Sequence, residues 1–318
     1  SHLTAVGNTL YFRANDGTNG YELWKSDGTA NGTMMVKDIN NGSGSSSLDE
    51  LAAVGTTLYF QASDGTNGYE LWKSNGTANG TMMVKDINSG SGSSDPSYLT
   101  AFGNTLHFRA NDGVNGTELW KSDGTATGTV LMDINNGSGG SYPSKFTVIG
   151  NTLYFQADDG TNGSELWKSD GTANGTMMVK DINNGSGNSY AYELTSVGNT
   201  LYFSASDGTN GAELWKSDGT SNGTVMVKDI KSGGGGSIPQ YLTAVGNTLY
   251  FTAYDGYNGQ ELWKSDGTAN GTLLVKDISY GSSGSSPNGL TAFGNTLYFQ
   301  ADDGYTGIEL YSNTGVDT

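Results

Sequence analysis

Acidic side chains are the groups in this sequence best suited to chemistry. Aspartate and glutamate together number 32, whereas there are two histidines and no cysteine. Paired carboxylates hydrolyse glycosides in many enzymes, and carboxylates in loops bind calcium. His2 and His107 are too few for a histidine metal cluster, and no Ser-His-Asp set or glycine-rich phosphate loop can be assembled. Catalysis would therefore depend on the carboxylates.

One glutamate recurs at a fixed spacing. The triplet Glu-Leu-Trp repeats every 48 residues, with one step of 47, and begins at Glu22, Glu70, Glu118, Glu165, Glu213 and Glu261; an altered copy begins at Glu309. An active site normally breaks the symmetry of a repeat, so a carboxylate present in every copy indicates a structural role. We expect it to accept hydrogen bonds from the backbone or from a neighbouring repeat. By the same reasoning we expect no enzymatic activity.

Each repeat reads as four short strands. In the first copy, residues 3–6, 9–14, 21–26 and 33–39 are rich in apolar, β-branched and aromatic residues, and Gly-Asn and Asp-Gly turns separate them. Bulky apolar groups occur on both faces of these strands, which indicates a sheet buried on both sides. A four-stranded sheet of this kind, repeated with a period in the forties, is typical of a propeller blade.

The strand content and the copy number together predict an all-β fold. We expect a seven-bladed β-propeller of four-stranded antiparallel blades, and the last blade has three strands in this chain. We expect a single domain over residues 1–318, and the repeats lie near 3–50, 51–98, 99–145, 146–193, 194–241, 242–289 and 290–318, the last being partial. An open array is the alternative. Three ways of closing the ring are compatible with the sequence: packing of the blades alone, chain beyond Thr318, or a strand from a second protomer.

Charge and hydropathy exclude several partners. The net charge is −17, which argues against nucleic acids and anionic membrane surfaces, because both attract basic proteins. No apolar run approaches the length of a membrane span, so we expect no membrane insertion.

The most regular segment carries a family resemblance. The run from Glu22 to Thr29, Glu-Leu-Trp-Lys-Ser-Asp-Gly-Thr, followed by Gly32-Thr33, resembles the bacterial ELWxxDGT-repeat family across essentially the whole chain. The resemblance implies a β-propeller in a bacterial surface or secreted protein, hence an extracellular or cell-surface location. It implies no catalytic or ligand residues.

Differences among the copies indicate where a ligand would bind. The Gly-Asn and Ser-Asp-Gly-Thr turns hardly change, whereas the loops before the first and third strands vary. These two connections share one face of a propeller whose first strand is innermost. We therefore predict a ligand or partner face in a binding or scaffold protein, with neutral loop drift as the alternative. The candidate binding residues are Tyr98, Tyr142, Tyr190, Tyr192, Tyr241, Tyr257 and Tyr305.

The repeated tryptophans allow a second interpretation. We expect Trp24, Trp72, Trp120, Trp167, Trp215 and Trp263 to pack between blades as a structural repeat. Alternatively, they stack on sugars in repeated inter-blade pockets, and the chain is a multivalent lectin. The partner is thus a protein or a glycan.

Metal binding is weakly signalled. The loop that begins at Asp16 lacks the alternating ligands of an EF-hand, and Asp-Gly and Asn-Gly turn formation explains its composition. Calcium stays open at the acidic pairs Asp158-Asp159 and Asp302-Asp303, and no other cofactor is expected.

Overall fold

The structure, a computed structural model, describes residues 3–313, and the regular elements in this stretch are all β-strands. None of the described segments is a helix long and apolar enough to cross a membrane. The chain packs as two compact units. The first runs to Ser144 and includes Asp158–Gly160 and Gly171–Ala173; the second holds Lys145–Ala157, Thr161–Asp170 and the chain from Asn174 onward.

Seven antiparallel sheets, here called blades 1 to 7, follow one another along the described chain. Their strands are β1 Leu3–Val6, β2 Thr9–Asn15, β3 Tyr21–Ser26 and β4 Met34–Lys37; β5 Asp49–Val54, β6 Thr57–Ala62, β7 Glu70–Ser74 and β8 Met82–Lys85; β9 Ser97–Phe102, β10 Thr105–Asn111, β11 Thr117–Ser122 and β12 Val130–Met132; β13 Ser144–Ile149, β14 Thr152–Asp158, β15 Ser164–Ser169 and β16 Met177–Lys180; β17 Tyr192–Val197, β18 Thr200–Ser206, β19 Ala212–Ser217 and β20 Val225–Lys228; β21 Gln240–Val245, β22 Thr248–Tyr254, β23 Gln260–Ser265 and β24 Leu273–Lys276; and β25 Asn288–Phe293, β26 Thr296–Asp302 and β27 Ile308–Asn313.

Strands adjacent in sequence are also adjacent in each sheet, and blade 7 has three strands among the described residues. The fold is a seven-bladed β-propeller, and the prediction of four-stranded antiparallel blades with a three-stranded last blade is confirmed.

The first strands are the edges at which successive blades meet. In the first unit β1 contacts β5 and β5 contacts β9; in the second β17 contacts β21 and β21 contacts β25. Threonines strengthen these contacts, since Thr4 Oγ1 donates to the Leu51 carbonyl (3.3 Å) and Thr195 Oγ1 to the Leu242 carbonyl (3.1 Å). The connections that lead into the first strands therefore lie where neighbouring blades are closest.

The hydrophobic core is a series of layers between blades. In the second unit, Tyr154 and Leu166 of blade 4 pack against Leu201, Phe203 and Trp215 of blade 5. Burial of each large side chain stabilises the fold by about 1.5–3 kcal/mol. The tryptophans of blades 2 to 6 are at most 8% exposed: Trp72, Trp120, Trp167, Trp215 and Trp263.

Within each unit, lysines join successive blades. Lys168 Nζ donates to the Gly219 carbonyl (2.9 Å), and Lys180 Nζ donates to the Thr224 carbonyl (2.8 Å). The Lys180 ammonium also lies 5.8 Å from the centre of the Trp215 ring. The same carbonyl contacts recur at Lys25, Lys37, Lys73, Lys85, Lys216 and Lys228. Most positive charges thus belong to the framework.

The single 47-residue step lies in blade 3. In blade 1 the register between the third and fourth strands shifts at Leu23, which pairs with Lys37. In blade 3 Leu119 pairs with Met132 and no shift occurs. The shorter repeat therefore lacks the bulged residue and the framework lysine that accompanies it.

Candidate binding face

The turns that hardly change among the copies have a local explanation. Asp16 Oδ1 accepts hydrogen bonds from the backbone N–H groups of Thr18 and Asn19, both at 2.8 Å. Those bonds hold the pKa of Asp16 below its usual value, with the Asn19 contact as the larger cause. The turn after the third strand is held in the same way, by Asp27 and Thr29. Backbone geometry thus accounts for these fixed residues.

The repeated glutamate anchors the variable connection. Glu165 is fully buried, and its carboxylate accepts hydrogen bonds from the backbone N–H groups of Ile182 (2.9 Å), Asn183 (3.3 Å) and Ser189 (3.0 Å). Burial raises the pKa of Glu165 to about 7, and the hydrogen bonds oppose that rise. The side chain therefore clamps the chain between the fourth and first strands onto the third strand. The equivalents Glu22, Glu70, Glu118, Glu213 and Glu261 make similar bonds.

These glutamates predict an acidic optimum of stability. Burial raises the pKa of all six above the usual 4.5, so the folded state binds protons more tightly than the unfolded state. The stability that these six groups contribute should fall as the pH rises above about 4.5, and for Glu165 the fall extends through about 7. We expect a higher melting temperature at about pH 5 than at about pH 8. Thermal unfolding followed by circular dichroism tests this, and a melting temperature that climbs across that range contradicts it.

Left-handed backbone marks the variable segments. Among residues 3–313, every non-glycine residue with positive φ lies just before or at the start of a first strand. One set occupies the second residue of that strand, at a β-bulge, with φ between 54° and 60°: Glu50, Tyr98, Lys145, Glu193 and Tyr241. The other set lies three residues earlier, with φ between 47° and 51°: Ser47, Asp95, Tyr142, Tyr190, Ile238 and Ser286.

This backbone is costly for most side chains. A left-handed residue other than glycine costs about 1 kcal/mol or more, and asparagine or aspartate is the usual exception. Blade 7 shows the relaxed solution, since Gly289 occupies the bulge with φ of 64°. The chain uses glycine at 50 positions, yet keeps tyrosine, lysine, isoleucine and glutamate here. Side chains retained against strain point to a task other than folding.

One position in the second strand varies among the copies and lies beside these loops. The residue after the second-strand phenylalanine varies as much as the loops do, and its copies are Arg13, Gln61, Arg109, Gln156, Ser204, Thr252 and Gln300. Arg109 Nε donates to Ser97 Oγ (3.2 Å), and Gln300 Nε2 donates to Asn288 Oδ1. In blade 6, Gln260 Nε2 donates to Gln240 Oε1 (3.3 Å). The variable positions of strands and loops therefore meet at one place in each of these blades.

We call this set of positions the variable face. In blade 3 it comprises Asp95, Ser97, Tyr98, Arg109 and Thr117, with the equivalent residues in the other blades. Blade 3 also has a pocket of about 370 Å³ here, lined by Asn88, Asp95, Arg109, Asn111, Thr117 and Tyr142. Pockets of this size accept small ligands.

Of the seven tyrosines selected from the sequence, five lie just before or at the start of a first strand and two lie on loops before third strands. Tyr98, Tyr142, Tyr190 and Tyr241 are between 37% and 62% exposed, and Tyr192 is half-buried. Tyr257 and Tyr305 lie on the loops before the third strands and are more than 80% exposed. Of the seven, Tyr142 lines the blade 3 pocket.

Sequence reasoning missed the second-strand position. Arg109 and its equivalents lie inside an otherwise regular strand, whereas the predicted binding residues were chosen from the variable loops. Their signal was present, because the same comparison of copies shows seven residues of four types at this position. The left-handed bulge had no signal, because its residues in blades 2 to 6 are not glycines.

His107 and the acidic turns are the remaining candidates for chemistry. His107 is fully buried, neither ring nitrogen has a hydrogen-bond partner, and burial lowers its pKa to about 4, with a smaller contribution from Lys121. His2 lies outside the described residues. Within residues 3–313 no three His, Asp or Glu side chains group as metal ligands. The Asp303 carboxylate accepts backbone bonds from Tyr305 and Thr306 within its own turn.

Comparison with known proteins places the fold. No protein-family model matches the sequence, and no curated protein matches it. A structure from a study of two prolyl endopeptidases matches 100% of this chain and 50% of its own, with a TM-score of 0.53 and 12% identity. Oligopeptidase B from Leishmania major matches over 94% and 45%, with a TM-score of 0.51 and 10% identity. The β-propeller domain of the Trilobed protease from Pyrococcus furiosus matches over 100% and 96%, with a TM-score of 0.45 and 10% identity.

These matches correct one expectation. We expected no enzymatic activity, and that prediction is contradicted, because two matched structures with TM-scores above 0.5 are those of peptidases. The expectation rested on the catalytic groups inside this chain alone. The chain spans about half the length of those two proteins, so an inventory of its own side chains was too narrow a basis. At these identities the likeness concerns the fold.

Proposed function

We propose that this chain is a binding β-propeller that recognises its ligand through the variable face. The observation that carries the proposal is the left-handed backbone, since strained positions cluster at ligand-binding sites in proteins. Here the strained positions coincide with the residues that differ most among near-identical copies. Neutral drift would instead favour glycine at those positions.

The chemistry of the face supports recognition of a polar ligand. Tyrosine offers a rigid aromatic surface with a hydroxyl group, and arginine offers several donors, and both are enriched at binding sites. Tyr98, Tyr142 and Tyr241 present such surfaces to solvent. The buried tryptophans offer no free indole face, so any sugar would have to stack on these tyrosines instead.

Family and location belong to the same proposal. We infer membership of the ELWxxDGT-repeat family from the repeated motif, and a bacterial surface or secreted setting follows from that resemblance. The partner is a protein or a glycan of that setting, and calcium in the acidic turns stays an untested prediction.

Substitutions taken from the chain's own copies test the proposal. Tyr142 and Tyr190 become serine, as at Ser47 and Ser286, and Tyr98 and Tyr241 become glycine, as at Gly289. Each replacement already occurs at the equivalent place in another blade, so the fold should persist. The wild type is screened on an array of neutral and acidic glycans and against a displayed peptide library. We expect selected ligands to bind the fourfold variant at least about tenfold more weakly.

A control removes exposed apolar groups elsewhere. Met34, Met82 and Met177 are each about 44% exposed on fourth strands, and their change to serine should leave binding unchanged. Equal affinity of the fourfold variant and the wild type contradicts the proposal, as does a wild type that selects nothing from either library.

A further inference from the structure

Three positive side chains outside the framework lie on aromatic rings, two of them in the variable face and one, Tyr254, at the end of a second strand beside it. Arg13 Cζ lies 4.7 Å from the centre of the Tyr21 ring, and Arg109 Cζ lies 4.8 Å from that of Tyr98. Lys231, in the connection from blade 5 to blade 6, has its Nζ 4.6 Å from the centre of the Tyr254 ring of blade 6. The three pairs use different combinations of repeat positions. The recurrence of one chemical arrangement from different positions indicates a shared task.

The pair in blade 3 is the best formed. Arg109 is half-buried, and two contacts fix its guanidinium plane, namely the bond from Nε to Ser97 Oγ and the stacking on Tyr98. It forms no ion pair with any residue of 3–313, and its terminal Nη donors have no hydrogen-bond partner there. The positive charge of Arg109 is therefore not neutralised by a carboxylate of the described residues.

The surroundings of Arg109 favour a small polar ligand. Its pocket of about 370 Å³ is lined by the amides of Asn88 and Asn111, the hydroxyl of Thr117 and the exposed ring of Tyr142. Guanidinium groups recognise carboxylates, phosphates and sulfates through paired N–H donors. Amides and hydroxyls hydrogen-bond the rest of a polar molecule, and an aromatic ring covers its apolar side.

We propose that the blade 3 pocket binds an oxyanion, a carboxylate, sulfate or phosphate group carried by a sugar-sized polar ligand, on the Nη atoms of Arg109. Tyr98 holds the guanidinium in place, and Tyr142 packs against the body of the ligand. This proposal rests on the proposed function and specifies its chemistry for one blade.

The two arginines give a direct measurement. Arg13 and Arg109 are the only arginines in the sequence, so an arginine Nε–Hε NMR spectrum contains two side-chain signals. Arg13→Gln and Arg109→Gln assign them, and both variants should fold because Gln61, Gln156 and Gln300 occupy the same position in other blades. The probes are glucuronate, glucose 6-sulfate, inorganic phosphate and neutral glucose, each titrated at low ionic strength.

We expect a saturable shift of the Arg109 signal with at least one anionic probe and none with glucose. Calorimetric affinity for that probe should fall at least about tenfold in Arg109→Gln, and it should weaken as salt is added. Asp95→Asn should tighten binding, because it removes a like charge from the rim of the pocket. The probe that saturates first identifies the source of the oxyanion.

Two results would overturn the oxyanion proposal without affecting the proposed function. One is an Arg109 signal that no anionic probe shifts, and the other is equal binding by Arg109→Gln and the wild type. If the tyrosine variants still lose the ligands found by screening, the variable face remains a binding face and only the oxyanion assignment fails. Weaker binding by Asp95→Asn also contradicts it, because negative charge would then not be the recognised feature.

Discussion

Replacing Glu165 by alanine is expected to lower the free energy of unfolding by about 3 kcal/mol. The change leaves the buried N–H groups of Ile182 and Ser189 without acceptors, and each such loss costs about 1–3 kcal/mol. Relief from burying a charge offsets part of this cost. Thermal or urea unfolding gives the size of the effect. Hydrogen exchange locates it, since the amides of Ile182 and Ser189 should lose their protection.

The chain contains a matched control for this change. Glu309 occupies the same repeat position but is exposed, and no hydrogen bond to it occurs among the described residues. Glu309→Ala should change stability by less than about 0.5 kcal/mol. Similar effects of the two substitutions, or unchanged exchange at Ile182 and Ser189, would show that the buried carboxylate does not hold the connection.

Replacing His107 by tyrosine is expected to stabilise the protein by about 1–2 kcal/mol at neutral pH. The imidazole is fully buried with both nitrogens unpartnered, and such groups cost about 1–3 kcal/mol. Tyrosine occupies this place in the other blades, as at Tyr59 and Tyr202, where it is buried to a similar degree. Differential scanning calorimetry should show a higher melting temperature. The reverse exchange in blade 5, Tyr202→His, should lower it.

The gain should grow as the solution becomes acidic. Burial lowers the pKa of His107 from 6.5 to about 4, so the unfolded chain takes up a proton that the folded chain refuses. The stability tied to neutral His107 is present above about pH 6.5 and is lost as the pH falls towards about 4. The loss amounts to about 3 kcal/mol. Tyrosine does not titrate there, and a constant difference between variant and wild type across this range contradicts the argument.

The sequence predicts the frame well because local chemistry specifies it. Asp16 and Asn19 define a turn through bonds within a few residues, and alternating Leu10 and Phe12 define a face. The copies reinforce each such signal. The two-sided burial of the blades also follows from composition, because a strand with Leu23 and Trp24 on opposite faces has no side suited to water.

The candidate site is less predictable because tertiary geometry creates it. Tyr98 and Lys145 have no intrinsic preference for a left-handed backbone, and they adopt it because the bulge requires it. Arg109 reads as a strand residue until the fold brings Ser97 and Tyr98 beside it. His107 likewise gave no sign that its ring would be buried without partners.

The bulge in the first strand has a consequence for how this protein can change over time. Glutamate, tyrosine, lysine and glycine all occupy that position with nearly the same φ, so the surrounding sheet imposes the conformation and the residue merely accepts it. Mutation can therefore exchange what the surface displays while the scaffold stays intact. Blades 2 to 7 each have this position. A library randomised there should remain largely folded, which makes the chain a natural starting point for selecting new specificities.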